Sequence, residues 1–154
     1  MNKPSSRGDE PVAIGSDHAG FALKQTLKQA LTQWGVSFED LGTLSEASVD
    51  YPDYAHAVAR GIAEGRYRLG LLVCGSGLGV AMAANRHKGV RAAPCTDAYA
   101  ARMARQHNDA NVLCIGSRIV GPGLAEDILK SFLDASFEGG RHAKRVAKID
   151  EPAP

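Results

Sequence analysis

Two short glycine-rich segments carry most of the residues in this chain that can move protons or hold an anion. They are Gly15-Ser16-Asp17-His18-Ala19-Gly20 and Cys74-Gly75-Ser76-Gly77-Leu78-Gly79. Each follows an apolar run and precedes a helical pattern, where backbone N–H groups lie unpaired and the helix dipole favours negative charge. The second segment can cradle an anion, or it can be a tight turn that needs glycine for its backbone angles. It is no Walker A loop, because no Gly-Lys-Ser/Thr follows, and its spacing departs from the dinucleotide fingerprint G-x-G-x-x-G. Cys74 is a candidate general base, since a helix N-terminus favours the thiolate; the competing reading is a core thiol. Asp17 beside His18 offers a carboxylate and an imidazole for acid–base chemistry, or a helix cap followed by a surface imidazole. Arg105-Gln106-His107-Asn108-Asp109 closes another helical pattern, so His107 is a proton carrier or a partner for the helix C-terminus. Arg118 follows a further apolar run, while Arg141 and Arg145 stand four apart on one face of the last helical pattern. Planar, bidentate guanidinium groups suit a phosphate clamp; with Lys144 and Lys148 alongside, a solvated basic face is the alternative. Cys95, Cys114, His56 and His87 read as structural. No H-x-H, H-E-x-x-H or acidic cluster suggests a metal site.

These residues need a scaffold that brings loop ends together. Unalternated apolar runs at Val12 to Ile14, Leu69 to Cys74, Gly89 to Ala93 and Val112 to Ile115, with a weaker one at Val36 to Leu41, read as strands covered on both faces. Between them lie amphipathic patterns at Phe21 to Trp34, Tyr54 to Glu64, Leu78 to Arg86, Ala98 to Gln106 and Gly123 to Phe137. The alternation predicts one three-layer α/β/α domain around a five-stranded parallel sheet, flavodoxin- or Rossmann-like, in strand order 2-1-3-4-5. Ligands of such sheets bind beyond the carboxyl ends of the strands, which is where both glycine segments fall. Gly139 to Ile149 restarts a helical pattern with no sheet left to cover, so its apolar face is expected to meet a second subunit.

At 154 residues the chain has the length of one domain. Residues 12–150 are expected to form it, with residues 1–11 as a disordered tail and residues 151–154 as a short one. The 18 basic and 17 acidic side chains leave a formal charge of +1, which gives no bulk attraction to nucleic acid or membrane. No apolar stretch reaches the roughly 18 residues of a membrane span, and Met1 to Pro11 lacks the apolar run of a signal peptide, so a cytoplasmic location is expected. The three cysteines form no C-x-x-C pair and read as reduced thiols.

Taken in chain order, the two glycine segments resemble the type B ribose-5-phosphate isomerases, together with Asp50-Tyr51-Pro52, Ala83-Ala84-Asn85, Arg105-Gln106-His107-Asn108-Asp109, Gly116-Ser117-Arg118 and Gly139-Gly140-Arg141-His142. The match runs from about Val12 to Ile149. The resemblance implies a cofactor-free, metal-free aldose–ketose isomerase interconverting ribose 5-phosphate and ribulose 5-phosphate through a cis-enediolate, a step of the pentose phosphate pathway. Allose 6-phosphate or galactose 6-phosphate is the alternative substrate. A flavin or nucleotide-binding module is the rival on the same fold. By the same resemblance, Cys74 is the base that moves a proton between C2 and C1. Some members instead carry a glutamate at the position of Val80, which cannot titrate. Ser76 and the backbone of Gly75, Gly77 and Gly79 would bind the enediolate oxygen. His107 with Asp17 would open the furanose ring, Asn108 would hold substrate oxygens, and Tyr51 would line the pocket. Arg118, Arg141, Arg145 and His18 would take the phosphate, in a homodimer or homotetramer whose active site lies at the subunit interface.

Overall fold

The computed structural model describes residues 10–153. Of the two expected tails, residues 1–9 and 154 lie outside the described residues. Five strands are formed: β1 (Val12–Ser16), β2 (Phe38–Asp40), β3 (Gly70–Cys74), β4 (Ala92–Pro94) and β5 (Val112–Gly116). The helices are α1 (Phe21–Gln33), α2 (Tyr51–Ala63), α3 (Leu78–Ala84), α4 (Ala98–Asn108), α5 (Pro122–Asp134) and α6 (Ala143–Asp150), with a 3-10 turn at Gly140–His142 before α6.

All strand pairs are parallel, in the order β2-β1-β3-β5-β4. The expected order 2-1-3-4-5 is therefore wrong at its far edge. β5 is buried along its whole length, whereas β4 has three residues and ends on exposed Pro94. Proline has no N–H to give a neighbour, so a strand that ends on it belongs at an edge.

The unalternated runs are explained by burial on two faces. Ile14, Leu71, Val73, Leu113 and Ile115 pack in the cluster that holds Leu27 and Leu31 of α1 and Leu129 and Phe132 of α5. Their strand neighbours Ala13, Leu72, Cys74, Val112 and Cys114 pack in the other, with Val58 of α2 and Val80 and Ala84 of α3. Successive side chains of a strand point to opposite faces, so each strand serves both helical layers. α2 begins at Tyr51, a turn earlier than the periodicity predicts, with Pro52 in its first turn, where a missing N–H is harmless. Gly139 and Gly140 have φ of 65° and 53°, left-handed angles that suit glycine and delay the last helix to Ala143.

One ionic cluster fixes the short strand β2 beside β1. The Lys24 ammonium has no accessible surface; it donates to Asp40 Oδ1 at 2.6 Å and to the Thr43 carbonyl at 2.5 Å. Lys28 reaches Asp40 Oδ2 at 2.7 Å, and the Gly42 N–H donates to Oδ1 at 2.9 Å. The segment so anchored pairs with the end of β1 through Ser16 N–Gly42 O at 2.8 Å and Thr43 N–Ser16 O at 2.7 Å. Burial pushes Lys24 below its ordinary value. Burial pushes Asp40 the other way, yet the donors from Lys24, Lys28 and Gly42 together hold its carboxyl below the usual carboxylate range.

Asp40→Asn is expected to lose about 3–5 kcal/mol at neutral pH, because it strands a fully buried ammonium; urea unfolding measures it. A depressed carboxylate stabilises above its unfolded pKa, near about 4, and stops doing so as pH falls through the folded value. The gap between wild type and Asp40→Asn should therefore close on acidification. A gap that stayed constant down to acid unfolding would refute the assignment.

Candidate active site

At the carboxyl edge of the sheet β1 and β3 are neighbours, with Ser16 opposite Val73, so their loops leave side by side. Asp17 is buried and its Oδ1 accepts the Gly20 N–H at 3.0 Å; the N-cap of α1 is Gly20 itself, so Asp17 braces the turn before the helix and does not cap it. His18 Nδ1 accepts the Val49 N–H at 3.2 Å, fixing the ring. The thiol of Cys74, 4% exposed, accepts the Gly77 N–H at 3.1 Å. Gly77 opens α3 at φ 77°, a left-handed angle that lets its amide turn back toward the sulfur. Ser76 Oγ accepts the Leu78 N–H at 3.2 Å.

Arg118 leaves the end of β5 and folds over the same loop. Its N–H donates to the Gly75 carbonyl at 3.0 Å, and its Nη1 would lie 3.2 Å from a Cβ at Gly75. Gly79 is covered by Tyr51, whose ring and hydroxyl atoms would lie 2.5–2.9 Å from a Cβ there. Asp17, His18, Tyr51, Cys74, Gly75, Ser76, Gly77, Gly79 and Arg118 thus share one edge. Together they offer a thiol to carry a proton, amides opening a helix, a hydroxyl and a guanidinium. That set suits proton transfer next to a carbonyl on an anionic substrate. Sequence reading missed Ser117, whose Oγ donates to the Ala19 carbonyl at 2.8 Å and braces the β5 loop on the β1 loop.

The remaining expected residues are elsewhere. α4 starts on the Asp97 cap, which accepts the Ala100 N–H at 2.7 Å, and ends where Asp109 turns left-handed at φ 46°. His107 and Asn108 are its last two residues, ahead of the start of β5. Since Val112 pairs with Gly70 and Gly116 with Cys74, His107 sits at the amino edge of the sheet. The five-residue strand between the two edges spans about 13 Å. Exposed Arg141 and Arg145 lie at that edge too, tied there by the Glu138 N–H to Gln106 O at 3.0 Å and by Arg91–Asp150 at 2.9 Å. Arg141 belongs to the 3-10 turn, so the two arginines do not share one helix as their spacing suggests. A cavity of about 800 Å³ opens at this edge and takes in Asn108, Arg91 and Asp150.

Beside His107 are two residues that sequence reading passed over, Glu138 and His142. Glu138 Oε2 lies 3.9 Å from His107 Nε2 and 3.5 Å from His142 Nε2. The two imidazoles stack with centroids 4.3 Å apart and planes 10° from parallel. The three donor atoms are within 4.8 Å of one another, but parallel rings aim their lone pairs side by side, whereas a metal ion needs donors that converge. Only the acidic residue four before a histidine, across two glycines, hinted at the cluster in the sequence.

Comparison with known proteins adds an independent line. Residues 12–149 match the family model described as Ribose/Galactose Isomerase. Over 138 residues, covering 90% of this chain and 93% of the other, the chain is 47% identical to ribose-5-phosphate isomerase B of Escherichia coli K12. It is 42% identical over 140 residues to D-erythrulose-4-phosphate isomerase of Pectobacterium atrosepticum, covering 90% of this chain and 91% of that one. The solved ribose-5-phosphate isomerase B of Mycoplasma genitalium with bound ribulose 5-phosphate superposes with a TM-score of 0.87 at 44% identity, over 91% of this chain and 93% of the other.

The three thiols are expected to differ in reactivity. Burial, with Asp97 nearby, pushes Cys95 up to about 11, and burial pushes Cys114, beside the other two thiols, well above its ordinary value. Cys74 has an amide donor on its sulfur and lies at the carboxyl edge of the sheet. Iodoacetamide at neutral pH should alkylate Cys74 first, as followed by peptide mass mapping; first modification at Cys95 would contradict the assignment.

Proposed function

We propose, from the premise that this chain belongs to the ribose/galactose isomerase family and is an isomerase, that it interconverts ribose 5-phosphate and ribulose 5-phosphate without a cofactor. The observation that carries the reading is the Cys74 thiol held on the opening amide of α3, with Arg118 folded over the same loop. In the open-chain aldose, the Cys74 thiolate takes the proton from C2 and the electron pair moves onto the carbonyl oxygen of C1. In the resulting cis-enediolate a proton passes from the C2 hydroxyl to the C1 oxygen, the C2 oxygen becomes the ketone, and the same thiol returns its proton to C1. The amides of Gly75, Gly77 and Gly79 and the Ser76 hydroxyl stabilise the developing oxyanion, an effect worth about 3 kcal/mol for each well-placed donor. Val80, buried against the sheet, offers no alternative base.

Ring opening falls to His107 with Asp17, and Asn108 holds substrate hydroxyls. Arg118, Arg141, Arg145 and His18 bind the phosphate, while Tyr51 walls the sugar pocket. Because one chain keeps Cys74 and His107 at opposite edges of its sheet, the complete site draws on two copies, in a homodimer or homotetramer. Exposed Ile149 on α6 and the free faces of Arg141 and Arg145 support that assembly. Residues 12–150 form the catalytic unit. No helix among the described residues is long and apolar enough to cross a membrane, and the charge balance favours no nucleic acid; we place the enzyme in the cytoplasm. The Pectobacterium relative supports a second substrate reading, a four-carbon sugar phosphate.

Relative kcat/KM for ribose 5-phosphate, erythrose 4-phosphate, allose 6-phosphate and galactose 6-phosphate decides the substrate; highest turnover of ribose 5-phosphate is expected. Cys74→Ala should lower kcat by about 10²-fold or more, the usual reach of a general base, and Arg141→Ala should chiefly raise KM. In conversion of ribose 5-phosphate, neither Cys74→Ala nor His107→Ala should show appreciable activity alone. After their subunits exchange, an equal mixture should recover about one quarter of wild-type activity, because half the dimers are mixed and each mixed dimer has one intact site. No recovery in confirmed mixed dimers would place both residues in one protomer's site and sink the shared-site reading.

A further inference from the structure

We propose that Glu138, seated with His142 against His107, is the positioning carboxylate of ring opening: it orients the His107 imidazole and steadies its protonated form. The inference rests on His107 being the ring-opening group, as proposed above, and names what prepares that group.

Three observations converge on it. The Glu138 N–H donates to the Gln106 carbonyl at 3.0 Å, which ties the carboxylate's own backbone to the residue before His107. Its Oε2 faces the Nε2 of both histidines, at 3.9 Å from His107 and 3.5 Å from His142. The parallel stack of the two rings leaves His107 little freedom to rotate away from that oxygen. The two histidines are also unequal. The His142 side chain is 9% exposed and that of His107 is 36% exposed. Burial first, then the positive charge of His107, Arg141 and Arg145, pushes His142 below the ordinary histidine value, against an upward push from Glu138. The neutral form of His142 is therefore favoured in the stack, and His107 is the more exposed ring of the pair. On α4, Arg105 and Asp109 are paired with each other at 2.8 Å. Glu138 is the carboxylate left to balance a protonated His107.

The step this serves is balanced within the proposed site. The bond from C1 to the ring oxygen breaks and its electron pair goes to that oxygen, which takes the proton from His107. The anomeric hydroxyl loses its proton to the Asp17 carboxylate and becomes the aldehyde. A carboxylate beside the imidazolium stabilises the charged form and sets which face meets the sugar, as an orienting acid does for other catalytic histidines.

Ribose 5-phosphate must be opened before it reacts, whereas ribulose 5-phosphate, with its O5 esterified, is already an open chain. Glu138→Gln, compared with wild type and His107→Ala, is measured across pH for conversion of ribose 5-phosphate and for exchange of the C1 hydrogen of ribulose 5-phosphate with deuterated water, which passes through the enediolate without the ring step. The expected result is a loss of at least about 10-fold in kcat/KM for ribose 5-phosphate, part of the roughly 10²–10⁴-fold that general acid–base catalysis supplies, with less than about 3-fold change in the exchange rate. The alkaline limb of the ribose 5-phosphate profile, set by loss of the His107 proton, should move to lower pH, and Glu138→Asp should recover part of the loss. If His107→Ala loses conversion and exchange equally, the ring-opening role of His107 fails and this inference with it. If His107→Ala shows the split while Glu138→Gln behaves as wild type, or loses conversion and exchange together with an unmoved profile, only the role of Glu138 is overturned.

Discussion

Backbone packed directly on backbone at the carboxyl end of β3 is the constraint on which the rest of the structure depends. A Cβ on Gly20 would lie 2.3 Å from the Val73 carbonyl oxygen, and one on Gly116 would lie 2.5 Å from the Ser76 carbonyl carbon. Main chain cannot yield there as the end of a flexible side chain can, so both positions require glycine. The start of α1 and the end of β5 thereby close on the loop that opens α3 from either side. Ser117 bonds across to Ala19, and its N–H reaches the Cys74 carbonyl at 2.8 Å. The thiol, the helix-opening amides and the Arg118 guanidinium are brought to one small region without any long side chain to fill the space.

The polarity of the sheet then divides the chemistry. In a parallel sheet every strand presents its carboxyl end to the same edge, and every connecting helix returns its last turn to the other. Residues after strands, such as Asp17, Cys74 and Arg118, collect at one edge. Residues at the end of α4, and the segment packed on it, collect at the opposite one. That separation is a property of topology, which no side-chain rearrangement removes. It is the physical ground for the proposal that two copies complete the site, and for His107 having an environment of its own, remote from Cys74 within its chain.

Charge is used sparingly and locally. The buried Lys24–Asp40–Lys28 cluster replaces hydrophobic burial at a three-residue strand that is only partly covered, and it anchors the segment that pairs with Ser16 next to Asp17. A buried ion pair of this kind contributes little net stability compared with an apolar isostere; its value here is to allow one seating of the loop. The stacked histidines sharing Glu138 apply the same economy at the other edge.

Much of the fold was legible because local pattern and burial coincide. Runs such as Leu69 to Cys74 lack alternation because helices cover both of their faces, and the glycine segments lie where chain direction reverses. The order of β4 and β5 was not legible, since nothing in the spacing between two strands says which of them the chain steps past. The exposed Pro94 was the one available clue. Eight of the nine residues at the carboxyl edge could be named from types and spacing because each lies in a segment that follows a strand end, whereas Tyr51, which opens α2, could be named only from the family resemblance. Glu138 and His142 could not, because their meaning lies in contact with His107, 31 and 35 residues away along the chain. The sequence by itself determined the elements, their polarity and the kinds of chemical group available, all consequences of local periodicity and residue type. Only the tertiary structure decided which groups share an edge and which imidazole has a carboxylate beside it, because those relations depend on strand order and on packing between distant segments.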